Sequence, residues 1–375
     1  MKKKIAIIGS GVGGLTAANL LIKNSNFEIM VYEKESMLSL NEGYGIQLAT
    51  NSISILNKIG FKNLDNKDIF NPLKLNFYSN SSKICDLDLG RFNNDLIKYT
   101  TLQRSTLIEF LKDKLFTNNF RFGKVIKKVS KIKDKLLINF SDNTNDLVDF
   151  IIVSDGVFSN TKSTIENKII KPRFNGSVAI RSVIKSPKEF NYEKKSISLI
   201  MLPDAHVVIY PINKNNDFNL VCIVREKLSQ NYDIHSILKK KIFSKNKNLE
   251  NLFTGDLNLW PVYVTKKPIK SIYDNVFYLG DAFYTFAPAL AQGASQSIEA
   301  ADELFNLLSE NKINIQNIYF KKRLKRTNQI NKRTKFNYFG FHISNFLLEI
   351  LRNFFLKRLV KNKNFIQSYL GKIYK

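Results

Sequence analysis

Three glycines near the start of the chain have the spacing of a phosphate-binding turn. Gly9, Gly11 and Gly14 form a Gly-x-Gly-x-x-Gly pattern directly after a short apolar run. Glycines at these positions permit a tight turn and let the backbone amides of a helix start approach a pyrophosphate. Glu33 ends the next apolar run, at 28–32, where a carboxylate can accept hydrogen bonds from ribose hydroxyls. A glycine-rich turn without a ligand is the alternative, but strand, helix and acid together predict a dinucleotide site.

Two more acids lie where buried strand patterns end. Asp155 follows the apolar run 150–153, and Asp281 follows the apolar run 276–279. Short continuous apolar runs are typical of strands in a parallel sheet, and ligands of such sheets bind at the carboxyl ends of the strands. A helical pattern follows at 294–308. We therefore expect two buried strands, each followed by an acid.

In this order, the three elements resemble the group A FAD-dependent monooxygenases, the single-component aromatic-ring hydroxylases similar to salicylate and para-hydroxybenzoate hydroxylase. The resemblance covers most of the chain. It implies an α/β fold with a Rossmann-like FAD-binding domain, which holds the glycine pattern and a parallel sheet. That domain would be interleaved with a mostly antiparallel β-sheet substrate domain and followed by C-terminal helices. The implied reaction uses FAD, NADH or NADPH, and O2 to hydroxylate a small aromatic or related ring through a flavin C4a-hydroperoxide.

The resemblance also implies which residues contact FAD. Asp281 would bind a ribityl hydroxyl, with helix N-capping as its alternative role. The amides of Gly293 and Ala294 would face the pyrimidine edge, where reduced flavin carries negative charge. Asp155 would organise the pyrophosphate and the nicotinamide entry surface. The full set of cofactor-binding candidates is Gly9, Gly11, Val12, Gly13, Gly14, Glu33, Lys34, Gly45, Arg104, Val125, Asp155, Asp281, Gly293 and Ala294.

Four side chains are candidates for the substrate pocket. His206 could accept a phenolic proton near neutral pH, and a satisfied structural histidine is the alternative. Arg181, on a neighbouring strand, would favour an acidic or phenolic ring. Tyr210 and Tyr284 are candidate wall residues whose alternative role is packing. Trp260 is expected in the core at the domain junction.

The chain departs from the family pattern at several positions. Tyr284 stands where relatives commonly have histidine, and Ala291 replaces a usual glycine. Lys162 stands in place of an arginine, and the arginine expected near Ser39 and Leu40 is missing. The last two differences put the docking of NAD(P)H in doubt.

The strand and helix patterns divide the chain into interleaved domains. We assign 1–70, 96–165 and 270–318 to the FAD-binding domain and 71–95 and 166–269 to the substrate domain. The remaining segment, 319–375, is expected to be helical. Only two cysteines occur in 375 residues, without metal-type spacing, which excludes a disulfide scaffold and a structural zinc site.

The chain carries 58 Lys and Arg against 32 Asp and Glu, a net charge of +26. Between Phe320 and Lys375 there are 15 Lys and Arg and one acid, Glu349. An apolar stripe in this segment, from Phe346 to Phe355, is expected to pack on the FAD domain, and membrane association is not favoured. We expect a cytoplasmic monomer or homodimer, peripheral to a membrane at most, that binds no nucleic acid and has no transmembrane helix.

Two other functions remain open. The same fold serves flavin reductases and dehydrogenases, which oxygen consumption would separate from a monooxygenase. A degenerate FAD-binding module without hydroxylase activity is the other alternative, motivated by the altered element at 280–284 and by Lys162. A halogenase is disfavoured because Trp260 is the single tryptophan.

Overall fold

Apolar, β-branched segments form the strands of this protein, and segments with helical periodicity form its helices. The computed structural model describes residues 2–38, 44–187, 190–310 and 312–374. The strands are β1 (Lys3–Ile8), β2 (Phe27–Tyr32), β3 (Gly45–Leu48), β4 (Ile69–Phe70), β5 (Lys74–Ser79), β6 (Ser82–Asp88), β7 (Thr100–Gln103), β8 (Phe120–Arg121), β9 (Ile126–Ile132), β10 (Lys135–Phe140), β11 (Asn145–Val148), β12 (Phe150–Val153), β13 (Arg173–Ile184), β14 (Ile197–Leu202), β15 (Ala205–Pro211), β16 (Phe218–Arg225), β17 (Asn258–Val264) and β18 (Val276–Tyr278). The helices are α1 (Val12–Leu21), α2 (Thr50–Asn57), α3 (Arg104–Lys112), α4 (Asn160–Ile165), α5 (Ile234–Leu238), α6 (Gly293–Ser309), α7 (Ile315–Phe341), α8 (Phe346–Lys361), α9 (Lys363–Ile366) and α10 (Lys372–Tyr374).

The nucleotide-binding half is built on a five-stranded parallel sheet with the order β18-β12-β1-β2-β8. Its central strand, β1, alternates between two cores, with Ile5 and Ile7 on the side of α1, α3 and α6. Ala6 and Ile8 face the other core, which the small sheet of β9, β10 and β11 covers. Because the strands are parallel, their carboxyl ends meet at one edge. This edge carries both the glycine turn and the predicted acids.

The second half is a seven-stranded sheet with the order β17-β13-β16-β15-β14-β5-β6, hereafter the substrate sheet. All of its pairings are antiparallel except that of β14 with β5. One face packs on α5 through residues such as Ile180 and Val207. The register aligns Arg181 with Val221, and Val221 with Val208, so these side chains share the opposite face. The architecture confirms the predicted fold class.

The C-terminal helices are fixed to the rest of the chain by polar contacts. Buried Arg323 on α7 pairs with Glu299 at 3.0 Å and with Glu303 at 3.4 Å on α6. At the end of the chain, the carbonyl of Tyr374 accepts a hydrogen bond of 2.8 Å from the Thr50 hydroxyl. In the part of the chain that the structure describes, no helix is long and apolar enough to span a bilayer.

The expectation for the apolar stripe is wrong. Phe346 and Leu347 on α8 are 72% and 68% exposed, and the apolar residues that follow them at 348, 350, 351, 354 and 355 are exposed as well. The protein-facing side of α8 is formed instead by a partly polar set of residues that includes Glu349 and Arg352. The stripe therefore faces away from the body of the protein.

Candidate flavin and substrate site

The glycines of the first turn have separate physical roles. Gly9 has a φ of +98°, which an L side chain rarely adopts. A Cβ at Gly14 would lie 2.1 Å from the Gly9 carbonyl oxygen, so α1 packs on β1 only because residue 14 is glycine. A Cβ at Gly11 would meet no protein atom within 4 Å. Packing therefore does not require glycine at position 11, whereas close approach of a pyrophosphate does.

The start of α1 provides the amides for that contact. The helix begins at Val12, with Gly11 at its N-cap and without a side-chain cap. The first amides of a helix lack partners within the helix and attract anions. Gly13 is required by packing, since its Cβ would lie 2.5 Å from a methyl group of Leu279.

Glu33 is held in place at the end of β2. Its Oε2 accepts a 2.9 Å hydrogen bond from the amide of Ser10 and a second bond from the Ser10 hydroxyl, and its Oε1 accepts one from the Glu35 amide at 3.1 Å. Burial would raise the pKa of Glu33, but these hydrogen bonds hold it below its usual value. The carboxylate is therefore ionised, which is the form that accepts hydrogen bonds from ribose hydroxyls. Lys34 and Val125, two further candidates for cofactor binding, are exposed.

Asp155 and Lys162 lie on the turn after β12. Asp155 Oδ1 is buried without a hydrogen-bond partner among the described residues, and burial raises its pKa. The Lys162 ammonium donates a 2.8 Å hydrogen bond to the Ala282 carbonyl, and burial lowers its pKa. Lys162 therefore supports the turn that holds Asp281. At the position where the family pattern has arginine, this chain therefore has a buried lysine.

Asp281 lies at the turn after β18. Gly280 has a φ of +61°, and a Cβ there would lie 2.5 Å from the Ser297 hydroxyl on α6. The Asp281 carboxylate is partly accessible, yet burial raises its pKa to about 6. No donor reaches this carboxylate in residues 2–38, 44–187, 190–310 and 312–374. A hydroxyl-bearing ligand would satisfy it.

The start of α6 completes this edge. The helix begins at Gly293, where a Cβ would meet no protein atom within 4 Å, and Ala294 follows. Ala291, which replaces a usual glycine, has a φ of +50°, so its backbone is in the left-handed region that favours glycine. Gln292 Nε2 is buried and has no hydrogen-bond acceptor within the described ranges.

These features fit FAD. Two helix starts, α1 and α6, present free amides beside glycines that packing does not require, Gly11 and Gly293. Two carboxylates, Asp155 and Asp281, have oxygens without donors in the described part of the chain. A dinucleotide supplies the matching groups, namely a pyrophosphate for the amides and hydroxyls for the acids.

The strand that joins the two halves contains Gly45. Its amide donates a 2.7 Å hydrogen bond to Asn219 Oδ1 on the substrate sheet, and a Cβ would lie 2.5 Å from the Asn219 Cβ. Arg104 begins α3, and its amide donates to the Tyr44 carbonyl at 2.8 Å. Ser39 and Leu40, near which the family arginine is missing, lie outside the described residues. Gly45 thus joins the nucleotide half to the substrate sheet.

Arg181 lies beside a pair of aromatic rings that contact each other. Its guanidinium carbon is 5.9 Å from the ring centroids of both Tyr44 and Trp260, and the two rings meet edge to face at 5.2 Å. Arg181 Nε is buried without an acceptor among the described residues. Trp260 is 39% exposed, so its prediction as core is wrong: β17 is an edge strand and places the ring beside Arg181. The charge of Arg181 also opposes the rise that burial causes in the pKa of Tyr210.

His206 shares this face of the sheet but contacts the end of α7. Its Nδ1 lies 3.1 Å from Nε2 of His342, and His342 Nδ1 lies 2.8 Å from the Tyr338 carbonyl. Burial, followed by the charge of His342, lowers the pKa of His206 well below its usual value. Burial also lowers the pKa of His342 to about 4. Both rings are therefore neutral at pH 7, and the role of His206 as a base stays a prediction.

Tyr284 belongs to a different hydrophobic cluster from Tyr210. Its ring packs against Phe286 at 4.9 Å, within the core under the parallel sheet, and its amide donates to the Gly280 carbonyl. Sequence analysis missed Tyr338, whose buried hydroxyl has no partner within the described ranges and whose ring packs on Ala179 and Ile223 of the substrate sheet. The sequence pattern of α7 did not indicate that Tyr338 would lie beside this sheet.

Known proteins resemble this chain in sequence and in fold. Residues 7–41 match the family model described as an NAD(P)-binding Rossmann-like domain. The 6-hydroxynicotinate 3-monooxygenase of Bordetella bronchiseptica is 24% identical over 333 residues, 82% of this chain and 83% of that protein. The 3-amino-4-hydroxybenzoate 2-monooxygenase of Streptomyces cremeus is 24% identical over 351 residues, 88% of this chain and 86% of that protein.

Solved structures agree in fold. Klebsiella pneumoniae HpxO complexed with FAD and uric acid superposes with a TM-score of 0.85 at 17% identity, covering 99% of this chain and 96% of that one. A salicylate hydroxylase substrate complex superposes with a TM-score of 0.80 at 17% identity, covering 100% of this chain and 95% of that one.

Fold and site together define an α/β protein in which a Rossmann-like half with a candidate FAD site is joined to the substrate sheet. Its relatives include monooxygenases and hydroxylases named for aromatic substrates, which confirms the resemblance predicted from the motifs.

Proposed function

We propose that this protein is an FAD-dependent monooxygenase that hydroxylates a small aromatic ring bearing an acidic or phenolic group, with NADH or NADPH as reductant and O2 as oxidant. The observation that carries the proposal is the half-buried Arg181, whose Nε lacks an acceptor among the described residues and whose guanidinium lies beside the contacting rings of Tyr44 and Trp260. The named aromatic substrates of the curated relatives support the same class. A cytoplasmic location and a monomer or homodimer are part of this proposal.

The residues at the carboxyl edge of the parallel sheet would hold FAD. The amides at Val12 and Gly13 would bind the pyrophosphate, Glu33 the adenosine ribose, and Asp281 a ribityl hydroxyl. The amides at Gly293 and Ala294 would stabilise negative charge at the pyrimidine edge. Bound FAD supplies the redox chemistry by which NAD(P)H and O2 deliver one oxygen atom to the ring.

The substrate sheet would orient the ring. A buried guanidinium nitrogen without an acceptor is costly, and a substrate carboxylate or phenolate would satisfy it. Tyr44 and Trp260 border the same guanidinium and would pack on the faces or edges of an aromatic ring. A guanidinium beside two aromatic rings would therefore favour a polar aromatic compound over a saturated hydrocarbon.

His206 would accept the proton that leaves a phenolic hydroxyl. Burial lowers its pKa, so the ring is neutral at physiological pH but is a weaker base than an exposed histidine. Its ring also contacts His342 and the Pro288 backbone, so the proton transfer requires that the substrate replace one of these contacts. The contact with His342 Nε2 fixes the orientation of the His206 ring. His342 is thus a positioning residue in this proposal.

The test is a screen of purified, FAD-loaded protein for NADH and NADPH oxidation with phenols, hydroxybenzoates and hydroxypyridines. We expect one compound to accelerate oxidation and to yield a hydroxylated product in near-stoichiometric amount. Arg181→Gln should raise the KM for that compound strongly, whereas Arg91→Gln, at an exposed position, serves as the matched control. Reductant oxidation without oxygen consumption would contradict the proposal and favour the same-fold reductase.

A further inference from the structure

Helix α8 presents an apolar surface to solvent. Phe346, Leu347, Leu348, Ile350, Leu351, Phe354 and Phe355 are all exposed. At 100° per residue they occupy one continuous side of the helix, hereafter the exposed arc. Isolated exposed apolar side chains are ordinary, but a continuous set of seven on one helix marks an interaction surface.

The opposite side of α8 holds the helix in this orientation. Arg352 donates to the Ser79 hydroxyl at 2.9 Å and to the Gly340 carbonyl at 3.3 Å, and it lies 3.5 Å from Glu349. Glu349 in turn accepts a hydrogen bond from Ser79. Further along, Val360 is buried and Leu356 packs on the core beneath the substrate sheet. Rotating the helix to bury the exposed arc would expose Val360 and break the contacts of Arg352. These contacts therefore keep the arc facing the solvent.

The exposed arc also carries positive charge. Lys357, Arg358 and Lys361 are exposed and lie on the same side as the apolar residues, near the end of the helix. The Arg358 guanidinium lies 4.1 Å from the ring centroid of Phe354. Glu349, the single acid between Phe320 and Lys375, is on the opposite side. The arc thus combines large apolar side chains with cations and contains no acid.

We propose that α8 binds the surface of an anionic lipid bilayer, with the exposed arc inserted at the boundary of headgroups and acyl chains. Helices that lie in this interface combine Phe and Leu on one side with Lys and Arg that reach the headgroups. The helix has 16 residues, fewer than the roughly 20 that a span requires, so it would lie in the plane of the membrane. The +14 net charge of segment 320–375 adds long-range attraction to anionic lipid.

A second copy of the chain fits this surface less well. Pairing two exposed arcs would bury Lys357, Arg358 and Lys361 of each copy against an arc that offers no acid. Burying unpaired cations is costly, and two chains of net charge +26 repel each other. Anionic lipid headgroups instead supply the missing negative charge.

The test is sedimentation of the FAD-loaded full chain with vesicles. We expect it to bind vesicles of equal parts phosphatidylglycerol and phosphatidylcholine at low salt, and not vesicles of phosphatidylcholine alone. Leu351→Gln combined with Phe355→Gln should weaken binding about tenfold or more, because the apolar contact is lost. Ile169→Gln combined with Ile313→Gln, at positions 81% and 92% exposed, is the matched control and should bind as wild type. Flavin content and melting temperature establish that each variant is folded.

A third variant separates charge from apolar insertion. Lys357→Gln combined with Lys361→Gln should weaken binding to anionic vesicles and reduce its dependence on salt. Absence of binding to anionic vesicles overturns the proposal. Binding that the Leu351 and Phe355 substitutions leave unchanged overturns it too. Sedimentation velocity showing a dimer that the same substitutions dissociate, without vesicle binding, would identify a second copy as the occupant.

Discussion

The nucleotide edge and the substrate face of this protein are built in different ways. At the nucleotide edge, the groups proposed to bind FAD are mostly backbone amides beside glycines, and each lies within a few residues of a strand end. At the substrate face, Arg181 contacts Tyr44 and Trp260, and His206 contacts His342, so the site combines side chains from distant segments. A backbone site can therefore be predicted from local spacing, whereas a side-chain site depends on tertiary packing.

The largest expected effect separates binding from packing among the glycines. Gly11→Glu should abolish FAD binding, because a carboxylate would meet the pyrophosphate, while the fold should survive since no protein atom lies near that position. Gly14→Ala should instead destabilise the fold, because its Cβ would lie 2.1 Å from a carbonyl oxygen. Flavin absorbance and melting temperature of both variants make the measurement. A fully yellow Gly11→Glu protein would remove the turn from the flavin site.

The next effect tests the substrate face. His206→Ala should lower hydroxylation by about ten- to a thousand-fold, within the range of general-base catalysis, while FAD content stays near wild type. Hydrogen peroxide should rise as product falls, since reduction does not need the substrate proton to be removed. His235→Ala, on the short helix α5 of the substrate domain, is the matched histidine control. Wild-type coupling in both His206→Ala and Arg181→Ala would place the pocket elsewhere.

A pH series sharpens the role of Asp281 at the nucleotide edge. Burial raises its pKa to about 6, so in the FAD-free chain its contribution to stability is greatest at low pH and is lost as the pH rises through that value. A ribityl hydroxyl donates to the ionised form, so FAD should bind about tenfold more weakly at pH 5 than at pH 7. Titration of apoprotein with FAD measures this ratio. Asp281→Asn should bind FAD weakly, and its affinity should depend little on pH. If the variant keeps the pH dependence of the wild type, another group causes the effect.

The smallest effect concerns backbone strain before α6. Ala291→Gly should stabilise the protein by about 0.5–1 kcal/mol, because relief of a left-handed alanine outweighs the added entropy of the unfolded chain. Ala294→Gly, inside the helix, should destabilise it by a similar amount. Denaturant unfolding of both variants provides the comparison. A loss of stability in Ala291→Gly would mean that the alanine side chain contributes packing at this turn.

These two regions also explain how far sequence analysis reached. The apolar runs at 150–153 and 276–279 predicted two parallel strands, because a short continuous apolar run identifies a buried strand without information from distant segments. Trp260 was predicted as core because its place on an edge strand is not visible in composition. Tyr338 was missed because its contact with the substrate sheet depends on how a 27-residue helix crosses that sheet. The expectation that the stripe on α8 packs on the FAD domain was wrong, because helical periodicity identifies an apolar side of a helix but not whether that side faces the protein or the solvent.

Isotope labelling tests the proposed reaction most directly. Purified protein would be supplied with NAD(P)H, the best substrate of the aromatic panel and oxygen gas labelled with the heavy isotope, and the product analysed by mass spectrometry. A monooxygenase incorporates one labelled oxygen atom per hydroxylated product, with the second atom released as water. A product that carries oxygen from solvent, or a substrate that is reduced or unchanged while NAD(P)H is consumed, would contradict monooxygenase activity.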